Sequence, residues 1–170
     1  GPYFGGALED LLLARASVNT SLLRKEFIIS EYQIIEAKAH GADVILLIAA
    51  ILSRPEIEQF STLAKSLGME VLLEVHDGAE LEKAIMPSLD MIGVNNRNLK
   101  TFEVSLNTSR DLITKIPSDF VKISESGLSE IAAIKDLQSC GFQGFLVGEN
   151  FMKTNDPGAA ALDFISKIEA

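Results

Sequence analysis

The chain has one cysteine, Cys140, so no intrachain disulfide can form. A disulfide-stapled secreted scaffold is excluded, and a reducing, cytoplasmic setting is expected. At the end of a helical segment, just before Gly141, Cys140 is expected to be a buried structural thiol. Basic residues are scarce: 15 Lys and Arg face 24 Asp and Glu, a net charge of −9. That excludes the basic face a nucleic-acid backbone needs, though one small phosphate in a pocket remains compatible. Long apolar runs are missing too. The longest, residues 44–52, is about half the length that crosses a bilayer, so no membrane partner is expected. No signal-peptide pattern opens the chain. There is no glycine-rich dinucleotide fingerprint, no P-loop and no His/Cys/Asp cluster with ligand spacing, so neither metal nor nucleotide cofactor is expected.

What is present is alternation. Short β-rich apolar runs at 21–25, 43–48, 70–75, 90–95, 120–124 and 144–148 are each followed by a stretch of helical period. The helical stretches fall near 30–40, 55–67, 79–86, 106–116, 129–139 and 157–168. Successive strands lie about 20–30 residues apart, the spacing of βα units in a parallel sheet. Ser30 stands where a helix N-cap belongs, and Pro55 where a first-turn proline does. Ile57, Phe60, Leu63, Ala64 and Leu67 make one helical stripe. Gly41, Gly68 and Gly141 each follow a helix, where a left-handed cap is expected. No low-complexity linker interrupts the series, so residues 1–170 are expected to form one domain.

Strands such as Val44-Ile45-Leu46-Leu47-Ile48 are apolar on both faces, which requires helices outside and packed side chains inside. An open doubly wound sheet and a barrel both meet that requirement. The strand ends separate them. In parallel α/β folds, functional groups gather at the carboxyl ends of the strands. Here those ends read Arg24-Lys25-Glu26, Glu74-Val75-His76, Asn95-Asn96-Arg97, Glu125-Ser126-Gly127 and Gly148-Glu149-Asn150. Several such ends in succession point to one shared pocket rather than to solvated termini. Lys25 is costly in such a place unless paired, and Glu74 can pair with it. Asn95 and Arg97 are two apart and face the same side of an extended segment. Arg97 can clamp a phosphate or carboxylate. Ser126-Gly127 and Gly148-Glu149, after the last two strands, can bring backbone N–H groups close to an anion, with residues 149–152 as a short extra helix. His40, at a helix end, suits a contact with carbonyls, and His76 a supporting role beside the strand end.

These segments resemble one family. Leu22-Leu23-Arg24-Lys25-Glu26-Phe27-Ile28-Ile29 is similar to the Leu-Arg-Lys-Asp-Phe-Ile motif of indole-3-glycerol phosphate synthases. The similarity continues through Glu74-Val75-His76, Asn95-Asn96-Arg97-Asn98-Leu99, Ser124-Glu125-Ser126-Gly127 and Leu146-Val147-Gly148-Glu149. It reaches back to Tyr3-Phe4-Gly5-Gly6, which resembles the family's loop after its second strand. The resemblance implies a (βα)8 TIM-barrel fold, here incomplete, with about six parallel strands matching the family's third to eighth. It implies ring closure, decarboxylation and dehydration of a small phosphorylated aromatic substrate. It makes Lys25, Glu74, Asn95 and Glu125 the catalytic residues, and Arg97, Ser126, Phe4, Phe27, Leu46 and Leu99 the substrate contacts. Ser126, Gly127, Gly148 and Glu149 occupy its phosphate-binding positions. Glu149 stands where some relatives have a small polar residue, so backbone donation survives there and side-chain donation does not.

The family's N-terminal extension and first strand, with a glutamate, a second catalytic lysine and a serine, have no counterpart in these residues, nor has its second strand. An incomplete barrel leaves two strand edges open, so the chain is expected either to self-associate through those edges or to close on itself. A different phosphate-binding barrel, phosphoribosylanthranilate isomerase, is disfavoured because it needs a catalytic cysteine and Cys140 falls in a helix. A non-catalytic fragment that keeps the motifs without the activity stays open. Loss of one positioned acid–base group costs about a hundred- to ten-thousand-fold in rate. This chain alone is therefore expected to show at most that residual turnover in a single-turnover assay. A rate equal to that of an intact synthase would contradict it.

Overall fold

The computed structural model describes residues 6–169. The order of elements is α1 (Leu8–Ser17), β1 (Leu23–Arg24), α2 (Glu31–Ala39), β2 (Val44–Ile48), α3 (Arg54–Ser66), β3 (Glu70–Val75) and α4 (Gly78–Ala84). There follow β4 (Met91–Asn95), α5 (Asn107–Leu112) with a 3-10 turn at Ile113–Lys115, β5 (Val121–Glu125), α6 (Ile131–Cys140), β6 (Gly144–Leu146), α7 (Glu149–Met152) and α8 (Pro157–Glu169). The alternation read from the sequence is therefore present, strand by strand. Contacts group the described residues into two compact units. One comprises residues up to Glu74 with Glu82–Asp90; the other comprises Val75–Leu81 with residues from Met91 onward.

In the first unit, β1 pairs with β2 and β2 with β3, all parallel. Every residue of β2 is buried, as its two-sided apolar sequence requires. In the second unit, β4, β5 and β6 pair in parallel, with Asn95 opposite Glu125 and Glu125 opposite Leu146. A parallel sheet sends every following loop off the same edge. That register fixes which polar residues share a level.

The opposite ends of the strands are fastened by a repeated clamp. Asp43 exchanges two bonds with Leu22: its N–H donates to the Leu22 carbonyl at 3.0 Å, and its carboxylate accepts from the Leu22 N–H at 2.8 Å. Asp90 treats Val71 the same way, at 3.1 and 2.8 Å. Gln143 does so with Lys122, at 2.8 and 3.1 Å. Each clamp satisfies a strand-entry N–H that the sheet ladder leaves over. Arg15 and Lys65 neutralise the two aspartates.

Helix ends follow local chemistry. Gly41, Gly68 and Gly141 all adopt positive φ after a helix, as expected. At Gly41, an added Cβ would also lie 2.7 Å from Arg15 Cγ, so the position excludes side chains on two counts. Ser30 sits at the N-cap of α2, but its hydroxyl makes no capping bond. Gln33 takes over, its amide oxygen accepting from Ile29 N–H at 2.9 Å and its amide nitrogen donating to the Phe27 carbonyl. On α3, Ile57, Phe60 and Ala64 are buried as the stripe predicts, whereas Leu63 and Leu67 are only partly covered. Ser61 takes the inner position instead, with its hydroxyl 2.6 Å from that of Ser88. Cys140 is exposed, contrary to expectation. The buried face of α6 is set by Ile134 and Leu137, and Cys140 lies off that stripe.

At the start of α3, Glu56 accepts from both the Ser53 hydroxyl (2.6 Å) and the Ser53 N–H (2.7 Å). The hydroxyl first, and then the N–H, hold the Glu56 carboxyl below the ordinary glutamate range. A depressed folded-state value stabilises the chain above the unfolded value and is lost as pH falls through the folded one. The stability difference between wild type and Glu56→Gln, read by urea denaturation, is expected to be present at pH 7 and to shrink on acidification through that range. A difference independent of pH would contradict the capping role.

Candidate active site

Within the first unit, the carboxyl ends of the strands bring Lys25 and Glu74 together. Lys25 follows β1, and Glu74 is the penultimate residue of β3, opposite Ile48 of β2. Lys25 Nζ lies 3.2 Å from Glu74 Oε2. The two partners differ sharply in exposure: the Glu74 side chain is 5% exposed and that of Lys25 47%. A carboxylate so deeply placed needs a cation, which the half-exposed Lys25 side chain supplies. Leu46, on the strand between them, is buried, and Phe27 is half exposed just beyond Lys25. Phe4 lies outside the described residues.

The second unit carries the amide, guanidinium and glycine positions. Asn95 and Glu125, level with each other on β4 and β5, are both buried. The Asn95 side-chain oxygen accepts from the Arg97 N–H at 2.9 Å, so the two residues expected on one side are directly linked. His76 holds the same strand end: its Nδ1 lies 2.7 Å from the Asn95 carbonyl. A carbonyl only accepts, so Nδ1 carries the proton. His40 likewise bonds a backbone carbonyl, that of Glu36, at 2.8 Å. From Arg97 the chain makes a tight excursion, closed by an antiparallel bridge between Arg97 and Val104. The Asn98 carboxamide ties its tip by accepting from Lys100 and Thr101 N–H groups. Leu99 is partly exposed in that loop.

Between the two residues that look chemical stands one that sequence reasoning passed over. Asn96 is fully buried and points the other way, toward α5. Its amide nitrogen, with two N–H groups, is shared among three acceptors, Ser124 Oγ, the Glu125 carbonyl and the Ser126 carbonyl, at 3.0, 3.0 and 3.1 Å. Its oxygen accepts from Ser109 N–H and Oγ at 3.2 and 2.8 Å. The Ser109 and Ser124 hydroxyls complete the ring at 2.8 Å. Part of the signal was available: Ser109 is a small polar residue at helical spacing from Leu106, Leu112 and Ile113.

This network shapes the loop after β5. Ser126 and Gly127 both have positive φ, 68° and 74°. For serine that conformation costs about 1–2 kcal/mol, so the bond from Asn96 to the Ser126 carbonyl offsets local strain. At Gly127 the backbone passes so close to Val104 that a Cβ would lie 2.5 Å from Val104 Cγ1. At Gly148, after β6, an added Cβ would meet nothing within 4 Å. Packing thus demands the first glycine, while the second leaves open space beside a backbone N–H. Next to it, Glu149 Oε2 lies 3.2 Å from Arg97 Nη2, and Glu149 Oε1 lies 2.7 Å from Lys153 Nζ. The Lys153 hydrogen bond and charge, with a smaller contribution from Arg97, hold the Glu149 carboxyl below its ordinary range.

The second unit therefore carries a guanidinium and two turn backbones at its strand ends, and the first carries an ammonium paired with a buried carboxylate. A shallow surface depression lies on α2 and α3 between Glu31, Gln59 and Leu63, with no ammonium or guanidinium in its wall. Among the described residues no helix is long and apolar enough to cross a membrane.

Solved structures define the fold class. The 3-hexulose-6-phosphate synthase of Salmonella typhimurium superposes with a TM-score of 0.73 at 16% identity, covering 95% of this chain and 80% of that one. The 3-keto-L-gulonate-6-phosphate decarboxylase of Vibrio cholerae gives 0.71 at 14%, covering 97% and 81%. The fold is that of TIM-barrel proteins, with six parallel strands and flanking helices. Within that class the sequence is specific: the family of indole-3-glycerol phosphate synthases matches residues 1–164, and the chain belongs to it. The indole-3-glycerol phosphate synthase of Bacteroides thetaiotaomicron is 46% identical over 167 residues, covering 98% of this chain and 64% of the relative. That of Sulfurimonas denitrificans is 48% identical over 158 residues, covering 93% and 60%. The chain thus spans about three fifths of the length of these curated relatives.

Replacing Asn96 by alanine strands several buried polar groups at once. The expected loss is about 2–5 kcal/mol in urea denaturation. Asn107→Ala, at the exposed start of α5, is expected to stay within about 0.5 kcal/mol of wild type. Equal stability of all three chains would show that the buried amide holds nothing in place.

Proposed function

We propose that this chain carries the acid–base and phosphate-binding machinery of an indole-3-glycerol phosphate synthase. The substrate is 1-(2-carboxyphenylamino)-1-deoxyribulose 5-phosphate, a small phosphorylated aromatic compound. The observation that carries the reading is the Lys25–Glu74 pair, a half-exposed lysine side chain on a buried carboxylate, within a chain of that family.

The ring carbon bearing the carboxylate attacks the substrate's carbonyl carbon. Lys25 donates a proton to the carbonyl oxygen as the new bond forms, and Glu74 orients Lys25 and shares that proton. The carboxylate leaves as carbon dioxide, returning its bonding electrons to the ring. The former carbonyl oxygen, now a hydroxyl, then takes up a further proton and leaves as water, while the ring carbon next to the nitrogen gives up a proton and the new double bond forms. Asn95 and Glu125 position the hydroxyl that forms and departs. Arg97 and the backbone N–H groups of Ser126, Gly127 and Gly148 hold the phosphate, and the Glu149 backbone continues that cradle. Phe27, Leu46 and Leu99, with Phe4, supply the apolar wall for the aromatic ring. The protein works in the cytoplasm, in keeping with its lone thiol.

Two measurements separate binding from chemistry. Calorimetric titration of this chain with the substrate should show binding that Arg97→Met weakens by about tenfold or more, since a charge-assisted bidentate contact is lost. In a chain extended to the full length of its relatives, Lys25→Met should leave that binding within a few-fold and lower kcat by about a hundred-fold or more. Substrate binding indifferent to Arg97, or turnover indifferent to Lys25, would overturn the proposal.

A further inference from the structure

Nothing in the proposed mechanism uses Lys153, yet it is tied to the candidate phosphate site by a short ion pair. Lys153 Nζ sits 2.7 Å from Glu149 Oε1, while Arg97 Nη2 holds the other oxygen, Oε2, at 3.2 Å. One carboxylate thus bridges two cations, one of them the guanidinium assigned to the phosphate. The turn that presents this carboxylate is fixed from behind: the Phe151 ring packs edge-on against Phe164 of α8, with centroids 5.4 Å apart. Space beside it is open at Gly148.

A carboxylate at this place poses an electrostatic difficulty. A phosphate bound by Arg97 and the Gly148 N–H carries up to two negative charges and would lie beside a third. Two outcomes are available to Glu149. It can remain an uncompensated charge that repels the ligand, or it can be neutralised by a cation that the ligand does not take. The pairing of its two oxygens with two different cations favours the second.

We propose that Glu149 is the internal counter-ion of Arg97 in the empty site, and that Lys153 is a positioning residue that keeps Glu149 neutralised when an incoming phosphate takes Arg97 away. The inference rests on the assignment of Arg97 and Gly148 to phosphate binding. In the empty site, Glu149 holds the guanidinium close to where the phosphate arrives. On binding, Arg97 Nη2 exchanges the carboxylate for a phosphate oxygen, and Lys153 stays on Oε1. Lys153 therefore acts through Glu149 and makes no contact with the ligand. The whole triad is exposed, so the effects are modest and shrink with salt.

The test is a double-mutant cycle read by titration of the full chain with inorganic phosphate at low ionic strength. Glu149→Gln should tighten phosphate binding about three- to fivefold, because Arg97 is no longer occupied. Lys153→Gln should weaken it by a similar factor, because the carboxylate is left uncompensated. In the Glu149→Gln background, Lys153→Gln should have almost no effect. The same loss in both backgrounds would mean that Lys153 touches the phosphate directly, and would overturn the positioning role. An unchanged affinity in Glu149→Gln would overturn the counter-ion role while leaving the phosphate site standing. Phosphate binding that persists in Arg97→Met, or that is absent from every variant, would overturn the phosphate assignment itself and the inference with it.

Discussion

The side-chain amide of Asn96 is the interaction on which the second unit's functional edge depends. It is buried, and it joins three pieces of chain that are remote in sequence: the end of β4, the end of β5 and the first turn of α5. An apolar residue in its place would strip the Ser126 carbonyl of the side-chain donor and the Ser109 hydroxyl of an acceptor, leaving the Glu125 carbonyl only the residue-96 backbone N–H. The consequence reaches the chemistry. The residues on either side, Asn95 and Arg97, are turned to the opposite face because Asn96 is committed to this one. The left-handed pair Ser126-Gly127 is held in a conformation that serine alone resists. A loop that is to offer backbone N–H groups to an anion gains most from being fixed before the ligand arrives.

The first unit solves a different problem with a simpler device. Glu74 lies at the end of a strand whose other residues from Val71 onward are buried and apolar. Lys25, which is only half covered, supplies a countercharge from the end of β1. In the proposed mechanism this asymmetry of exposure gives the pair its use: the buried partner fixes geometry, and the half-exposed lysine hands on a proton. At the other ends of the strands, Asp43, Asp90 and Gln143 repeat one hydrogen-bonded clamp. Stability devices and functional groups are thus segregated to opposite ends, as the direction of parallel strands allows.

Much of this was legible in the sequence because parallel strands buried on both faces leave a strong signal. The apolar runs such as Val44–Ile48 marked strands, and the glycines after α2, α3 and α6 marked left-handed caps, since only glycine enters that region without cost. The polar residues just beyond the runs marked the functional edge. Legibility failed where a role depends on contacts distant in the chain. Asn96 lay between two residues with evident chemistry, and its partners Ser109 and Ser124 are 13 and 28 residues away. The Arg97–Glu149 ion pair joins residues 52 apart, and the register of β4, β5 and β6 was needed to make it visible. Ser30 stands at the N-cap as expected, but its missing capping bond and the exposure of Cys140 escaped the sequence for a local reason. Gln33 was better placed than the serine to bond the exposed N–H of Ile29, and the periodic face of α6 passed beside the cysteine rather than through it.

A cradle that exists before its ligand can be tested by nuclear magnetic resonance. The measurement is a titration of the 15N-labelled chain with inorganic phosphate, following the backbone amides of Ser126, Gly127 and Gly148 and the side-chain amide of Asn96. If Asn96 has already fixed the loop, the three backbone amides shift together, and the Asn96 amide protons stay slow to exchange with and without phosphate. Free exchange of the Asn96 amide, or shifts confined to the groove of α2 and α3, would show that the loop is not prearranged and that the anion binds elsewhere.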